Sequence, residues 1–259
     1  MKDELLKTAA SIVDQATNGE QVEVVVVHGR ETEIRVYQGE IESFTAAESQ
    51  GIGIRVVNDF RQGMAYAGSL DDSVLEETLE EARDNASFGT PDEFLAIAEP
   101  DGVNSISLEL LNPELNSFAN EDKISLAIEL EKSISESDPR IIGVESTDYV
   151  DSINTSAIVT TSGISRASEE GGCYLAASSL ASDGTDTQTG FGYSVGRSPA
   201  QLQIEKASSE ATERATRLLG AKKAESGRMT VILDPYVTAQ FLGIIGSTLS
   251  GEALLKGRS

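Results

Sequence analysis

The chain has 259 residues, a formal net charge of −23, 39% apolar and 5% aromatic residues, and no tryptophan. That length supplies one large core or two modest ones, built mainly from Val, Ile, Leu and Ala. The acidity, concentrated in the first two hundred residues, disfavours phosphate backbones as partners. The single cysteine, Cys173, excludes an internal disulfide and fits a reducing cytoplasm.

At the N-terminus, MKDELLKTAASIVDQA reads as a charged helix rather than a signal peptide. Leu5, Ala9, Ile12, Val13 and Ala16 recur at helical spacing, which predicts a helix over about residues 3–17. Five strand-like segments follow: QVEVVVVHG, ETEIRVYQ, EIESFTAA, GIGIRVV and RQGMAYAGS, separated by GR, QGE, ESQ and NDF. They predict an antiparallel meander, and the VVVV run within it is too short to span a membrane. A second helix, about 71–87, starts at Asp71 or Asp72 and turns Leu75, Thr78, Leu79, Ala82 and Ala86 inward. Residues 88–119 hold Pro91, Pro100 and Pro113 and read as a connector.

A third helix is expected over about 120–137, with Asn120 as cap, Ile124, Ala127, Ile128 and Ile134 inward, and Pro139 as its stop. A second strand-rich block comprises RIIGVESTDYV, INTSAIVTTS, ISRASEE, CYLAASSLAS and DTQTGFGYSVG, with SG, EEGG and SDGT as hairpin signals. A fourth helix, about 200–219, places Ile204, Ala207, Ala211, Ala215 and Leu218 on one face. RMTVILD is expected as a strand. The closing helix is capped by Asp234 with Pro235 at its first position. The fold class is therefore α+β: an N-terminal helix–meander–helix domain (1–87), a connector (88–119) and a second strand-rich block (120–259).

Few residues offer chemistry. GYSVG at 192–196 matches the G-x-S-x-G elbow around Ser194, but a serine nucleophile needs a base, and the only histidine, His28, lies upstream. SDGTDTQTG lacks the alternating acids and closing Glu of a calcium loop and reads as a hairpin turn. His28 reads as a solvated turn residue, because a lone histidine does not anchor a zinc site of the usual kind. Cys173 reads as a small packed side chain. The residues themselves assign no catalytic group and no cofactor.

Several blocks in order resemble the TldD/PmbA family, described as modulators of DNA gyrase and as metalloproteases. They are EIESFTAAESQGIGIRVVNDFRQGMAYAGSL, DPRIIGVESTDYVDSINTSAIVTTSGISRASEE, SDGTDTQTGFGYSVGR, EATERATRLLGAKKAESGRMTVILDP and SGEALLKGRS. The family's active branch carries H-E-x-x-x-H on the helix at the terminal position, two imidazoles for zinc and a glutamate to polarise water. Counting back from GRS, the resemblance puts those places at Leu242, Gly243 and Ser247, none of which ligates zinc or acts as a base. It thus implies the inactive PmbA/TldE-like branch, with zinc held by a TldD-like partner subunit. It also implies a further C-terminal portion that this sequence does not contain. Extended or unfolded peptides are the expected ligands, added at sheet edges within 141–195. Ser162 and Gly163, in the SG turn, and Phe241 and Ile245, on the last helix, are the candidate contacts to a peptide or partner. A stand-alone binding scaffold and a hydrolase using Ser194 are the alternatives.

Overall fold

The computed structural model describes residues 1–259 apart from Asn104, Ser105 and Ser107, so the connector reading at those three positions lies outside the described residues. The elements are α1 (Lys2–Val13), β1 (Gln21–Tyr37), β2 (Glu40–Asn58), β3 (Arg61–Ala67), α2 (Asp72–Phe88), the short α3 (Glu114–Ser117), α4 (Asn120–Ser135), β4 (Ile141–Thr160), β5 (Ser165–Ser182), β6 (Thr187–Gly196), α5 (Ile204–Thr216), α6 (Pro235–Thr248) and α7 (Gly251–Leu255). The class is α+β, as the sequence predicts. Two compact units divide at residue 220.

In the first unit, residues 1–220, six strands form one antiparallel sheet in the order β3-β2-β1-β4-β5-β6. Side chains alternate between the faces of a strand, so Val22, Val24, Val26, Ile34 and Val36 of β1 share one face. The three valines join a core with Leu5, Ala9 and Ile12 of α1 and Leu75, Leu79 and Ala82 of α2. Ile34 and Val36 join a second core with Ala127, Leu130 and Ile134 of α4 and Ala207 and Ala211 of α5. All four long helices therefore lie on the same face. The expected blocks 1–87 and 120–259 contribute three strands each, and β1 pairs directly with β4 from Glu23↔Thr160 to Val36↔Thr147, so both share one sheet.

The order helix, three antiparallel strands, helix occurs twice, as α1-β1-β2-β3-α2 and α4-β4-β5-β6-α5. The buried positions Thr78, Leu79, Ala82 and Ala86 of α2 are spaced like Ala207, Ser208, Ala211 and Ala215 of α5. Each of these helices is clamped onto an edge strand at a glycine. A Cβ on Gly63 falls 2.1 Å from the Ala82 carbonyl oxygen, and one on Gly190 falls 2.3 Å from that of Ala211. Likewise Leu5, Ala9 and Ile12 of α1 match Lys123, Ala127 and Leu130 of α4 in spacing.

Strand count is the main departure from the sequence reading. GR, ESQ and EEGG are not turns: each lies inside a strand of 17 to 19 residues. The three occupy one row across the sheet, through Gly29↔Ser49, Gly29↔Asn154 and Asn154↔Glu170. That row lies where the two cores meet, so the strands become polar there without ending. In α4 the inward residues are Lys123, Ala127, Leu130, Glu131 and Ile134, with two charged side chains among them.

The second unit, residues 221–259, contains α6 and α7. Pro235 sits in the first turn of α6, and Asp234 accepts a 2.9 Å hydrogen bond from the Val237 amide, as expected of a cap. α6 buries none of its residues, and Phe241 and Ile245 are exposed. RMTVILD, expected as a strand, forms none. Its alternation of apolar residues is a strand signal only where a neighbouring strand takes its backbone groups, and among the described residues no such pairing occurs.

Candidate functional site

The polar row between the two cores adjoins a cluster of buried ionisable groups, Lys123, Tyr149, Asp151 and Cys173. The fourth helix-facing position of β1, counted from Val22, is His28. On β4, counted from Val144, it is Asp151. These residues pair with Thr155 and Thr32 across the central β1–β4 contact. His28 Nε2 lies 2.7 Å from Glu48 Oε1 of β2. Asp151 instead meets a lysine from above: Lys123 Nζ of α4 lies 2.6 Å from Asp151 Oδ2, with both side chains under a tenth exposed. The ammonium also donates to Thr32 Oγ1 at 3.2 Å and sits 5.9 Å from the centre of the Tyr149 ring. A lysine is buried here because carboxylate, hydroxyl and aromatic face together replace its hydration.

The neighbours of this pair are held in their protonated states. Burial, then the Asp151 carboxylate, pushes the Cys173 thiol up to about 11. The same two causes raise the Tyr149 phenol further above its ordinary range. Neither is a nucleophile near neutral pH, and the Lys123 Nζ is occupied by Asp151 at 2.6 Å. The cluster fastens α4 to β4 and floors a recess of about 350 Å³ whose rim includes Arg30, Glu48, Asn116 and Asn120. Sequence reasoning missed Lys123 because it follows the acidic first turn of α4, where Ala119 rather than the expected Asn120 is the cap. The available signal was its spacing from Ala127 and Leu130.

The residues singled out from the sequence fall in separate places. Ser194 is buried, and its Oγ accepts the Gln203 amide at 2.9 Å, so it ties β6 to the start of α5. His28 is three strands away, on β1. Asp183 Oδ1 accepts hydrogen bonds from the amides of Thr185 and Asp186 at 2.9 Å each, which spends it on a hairpin turn. Ser162 and Gly163 form the β4–β5 turn. Gly163 has φ +100°, and Ser162 Oγ donates to the Ala98 carbonyl at 2.6 Å. Phe241 and Ile245 belong to α6 in the second unit. Leu242 and Gly243 of that helix bring no donor atom, and the Ser247 hydroxyl donates to its own helix at Ile244 O, 2.7 Å away. This set does not fit zinc. Among the described residues no three His, Cys, Asp or Glu side chains gather as metal ligands, and no helix is long and apolar enough to cross a membrane.

Sheet edges are fewer than expected within 141–195. β4 and β5 are interior strands, and in that block β6 alone lies at the border of the sheet. The N-terminal halves of β2 and β5 nevertheless lack a neighbour on their outer side. β3 covers β2 only from Ile52 to Asn58, and β6 covers β5 only from Cys173 to Ser182. The uncovered part of β5 receives the chain's own connector, through a parallel bridge between Leu110 and Glu170 and a 3.2 Å hydrogen bond from the Gly171 amide to Leu110 O.

Comparison with known proteins gives a consistent result. The sequence signature of PmbA/TldA metallopeptidase domain 1 matches residues 22–86, and that of the PmbA/TldA metallopeptidase central domain matches 113–219. Metalloprotease PmbA of Escherichia coli O157:H7 is 23% identical over 261 residues, covering 98% of this chain and 56% of that protein. The chain thus spans about half the length of the curated relatives it matches. The crystal structure of a putative modulator of DNA gyrase from Bacteroides thetaiotaomicron superposes with a TM-score of 0.85 at 23% identity, over 98% of this chain and 59% of the other. TldE from Thermococcus kodakarensis superposes at 0.67 with 20% identity, over 82% and 46%. The superpositions show a common fold. Two consecutive domain signatures, in order on the doubled helix–meander–helix sheet, make this chain a member of the TldD/PmbA family.

Proposed function

We propose that the chain is a non-catalytic, PmbA/TldE-like subunit of a cytoplasmic TldD-type metalloprotease, in which it shapes a peptide-admitting cavity and stabilises an active partner. One observation carries this reading. The helix on which the resemblance places H-E-x-x-x-H forms here with Leu242, Gly243 and Ser247 at those places, and the Ser247 hydroxyl, the one hydroxyl among the three, is bonded within the helix. The buried cluster supports the same reading, because it holds lysine, tyrosine and cysteine in states that fasten rather than react. Zinc and the water it activates would belong to a TldD-like partner, paired with this chain as a heterodimer. Ser162, Gly163, Phe241 and Ile245 are its proposed peptide or partner contacts.

The test is co-purification with a family member carrying H-E-x-x-x-H, with cleavage of an unstructured peptide assayed for each protein alone and for the mixture. Cleavage that needs the partner and rises when this chain is added supports the proposal. Zinc at close to one atom per chain in this protein alone, or cleavage without the partner, overturns it.

A further inference from the structure

The repeated architecture gives the two uncovered edges corresponding positions. Cys173, opposite Asp151, corresponds to Gln50, opposite His28. Three residues earlier lie Glu170 and Ala47. At Glu170 the edge of β5 is filled in cis by the Leu110 segment, which Arg197 also grips through a 3.1 Å hydrogen bond to Glu109 O. At Ala47 nothing corresponds. Every residue of β2 from 40 to 50 is exposed, and among the described residues no backbone hydrogen bond reaches this edge from outside the β1–β2 pair.

Such an edge is a template for a further strand, and its surroundings select the strand's charge. On the helix-free face, Thr45, Ala47, Ser49 and Gly51 of β2 are small. They leave Glu33 and Glu31 of β1, opposite Thr45 and Ala47, open to long side chains from beyond the edge. Neither glutamate is in an ion pair among the described residues, whereas nearby Arg35 is held 2.6 Å from Asp148 and His28 faces Glu48. Of the other local cations, Arg30 donates to Asn116 and Lys123 is paired with Asp151. Glu40 and Glu42 add charge at the start of the strand. A second copy of this chain would bring the same acidic edge, and like charges across a strand pair destabilise it.

We propose that residues 43–51 of β2 bind an extended, lysine- or arginine-bearing peptide segment as an added strand, as the edge of β5 binds Leu110 in cis. The proposal rests on the peptide-handling role above and names the substrate class and the place where it docks. Backbone pairing supplies binding that tolerates many sequences, and Glu31 and Glu33 supply the preference for basic side chains.

The experiment uses the isolated 259-residue chain and three labelled ten-residue probes. One alternates Lys and Thr, one alternates Glu and Thr, and one is the Lys–Thr peptide N-methylated at every second residue. Binding is followed by fluorescence anisotropy and amide hydrogen exchange. The Lys–Thr peptide should bind at least tenfold more tightly than the other two and slow exchange within residues 43–51. Glu31→Lys with Glu33→Lys, both exposed positions, should cost it at least tenfold in affinity and shift the preference toward the Glu–Thr peptide. Equal binding of the N-methylated peptide indicates charge attraction without strand addition and overturns the proposal. Protection elsewhere, or protection of 43–51 without peptide accompanied by dimer formation in sedimentation, also overturns it. If the edge fails these tests while partner-dependent cleavage persists, the docking site is wrong and the subunit role stands.

Discussion

The two halves of the sheet are built alike and filled differently. Each half lays one helix near the centre and clamps a second onto an edge strand at glycine, Gly63 in one and Gly190 with Gly192 in the other. In the first half the inner helix turns Leu5, Ala9 and Ile12 into an aliphatic core. In the second half, Lys123 takes the place corresponding to Leu5 and pairs with Asp151, beside Tyr149 and Cys173. One backbone arrangement therefore tolerates either an apolar contact or a buried ion pair at the same point. The pair is not needed to stabilise the architecture, since the first half does without it. What it adds is a fixed position for α4 beside the polar row.

The largest expected effect breaks that difference. Lys123→Leu recreates the first half's arrangement but leaves Asp151 buried without its partner, which should lower stability by about 3–5 kcal/mol. Combining it with Asp151→Val removes both charges and should return to within about 1 kcal/mol of the parent protein, or exceed it. Urea melts of the two variants decide the matter. A single variant as stable as the parent would mean that water reaches Asp151 and that the contrast between the halves is only apparent.

The glycine clamps sharpen the likeness. Gly63→Ala and Gly190→Ala each drive a methyl group into the backbone of the facing helix, a steric clash worth about 1–3 kcal/mol. The two costs should agree closely, because both contacts involve a carbonyl oxygen and an amide nitrogen four residues apart. Gly53→Ala, with open space where its Cβ would go, serves as the control. A large loss at one clamp and none at the other would show that the edge helices are held by different means.

The long hairpins offer a finer comparison, since each tip is held from outside its own three strands. Glu131 of α4 accepts the Gln38 and Gly39 amides at 2.7 Å each, across the β1–β2 turn. Gln38 and Gly39 have φ of 56° and 77° there, a turn geometry that leaves their amides pointing outward together. The β4–β5 turn is held by neutral bonds, from Ser162 to Ala98 O and between Thr161 and Val22 of β1. Hydrogen bonds to a charged acceptor contribute about 1.5–3 kcal/mol, against about 0.5–1.5 for neutral ones. Glu131→Gln should therefore destabilise more than Ser162→Ala in the same thermal melts, and the reverse order would contradict this account of the turns.

These particulars mark what was legible in the sequence. The four long helices of the sheet unit were readable because each buries one stripe: α2 turns inward the five residues its spacing indicates. The cap at Asp234 was readable because it is local chemistry. Strand ends were not, because glycine, serine and charge at Gly29, Ser49 and Glu170 carry the composition of turns, and only the sheet as a whole shows that they form a single row between two cores. The repeat was hidden by substitutions such as Leu5 against Lys123, which preserve spacing while exchanging apolar for charged. The buried pair was hidden for the same reason, since Lys123 and Asp151 lie far apart in sequence and neither is unusual alone. The zinc positions came from resemblance, and the structure adds that they lie on a formed helix.

The smallest expected effect concerns an ion pair present in the first half. Arg83 of α2 reaches across to Glu20, just before β1, with Nε and Nη2 each 2.9 Å from a carboxylate oxygen, and Nη2 also donates to the Gln15 carbonyl at 2.8 Å. The Thr17 amide donates to the same carboxylate at 2.9 Å. Burial by itself raises the Glu20 pKa, but the hydrogen bonds from Arg83 and Thr17 outweigh it and leave the carboxyl below the ordinary glutamate range. A group whose folded pKa is depressed contributes stability above its unfolded pKa, about 4.3 for glutamate. That contribution is lost as the pH falls through the folded value. Glu20→Gln should therefore be less stable than the parent by about 1 kcal/mol at pH 7, and the gap should shrink steadily as the pH falls below 4. Only the difference between the two proteins is informative, because all of the parent's 43 acidic residues other than Glu20 are present in both. A gap independent of pH would mean that Glu20 acts through shape rather than charge. The tie between the end of α1 and α2 would then be a matter of packing, like the glycine clamp beside it.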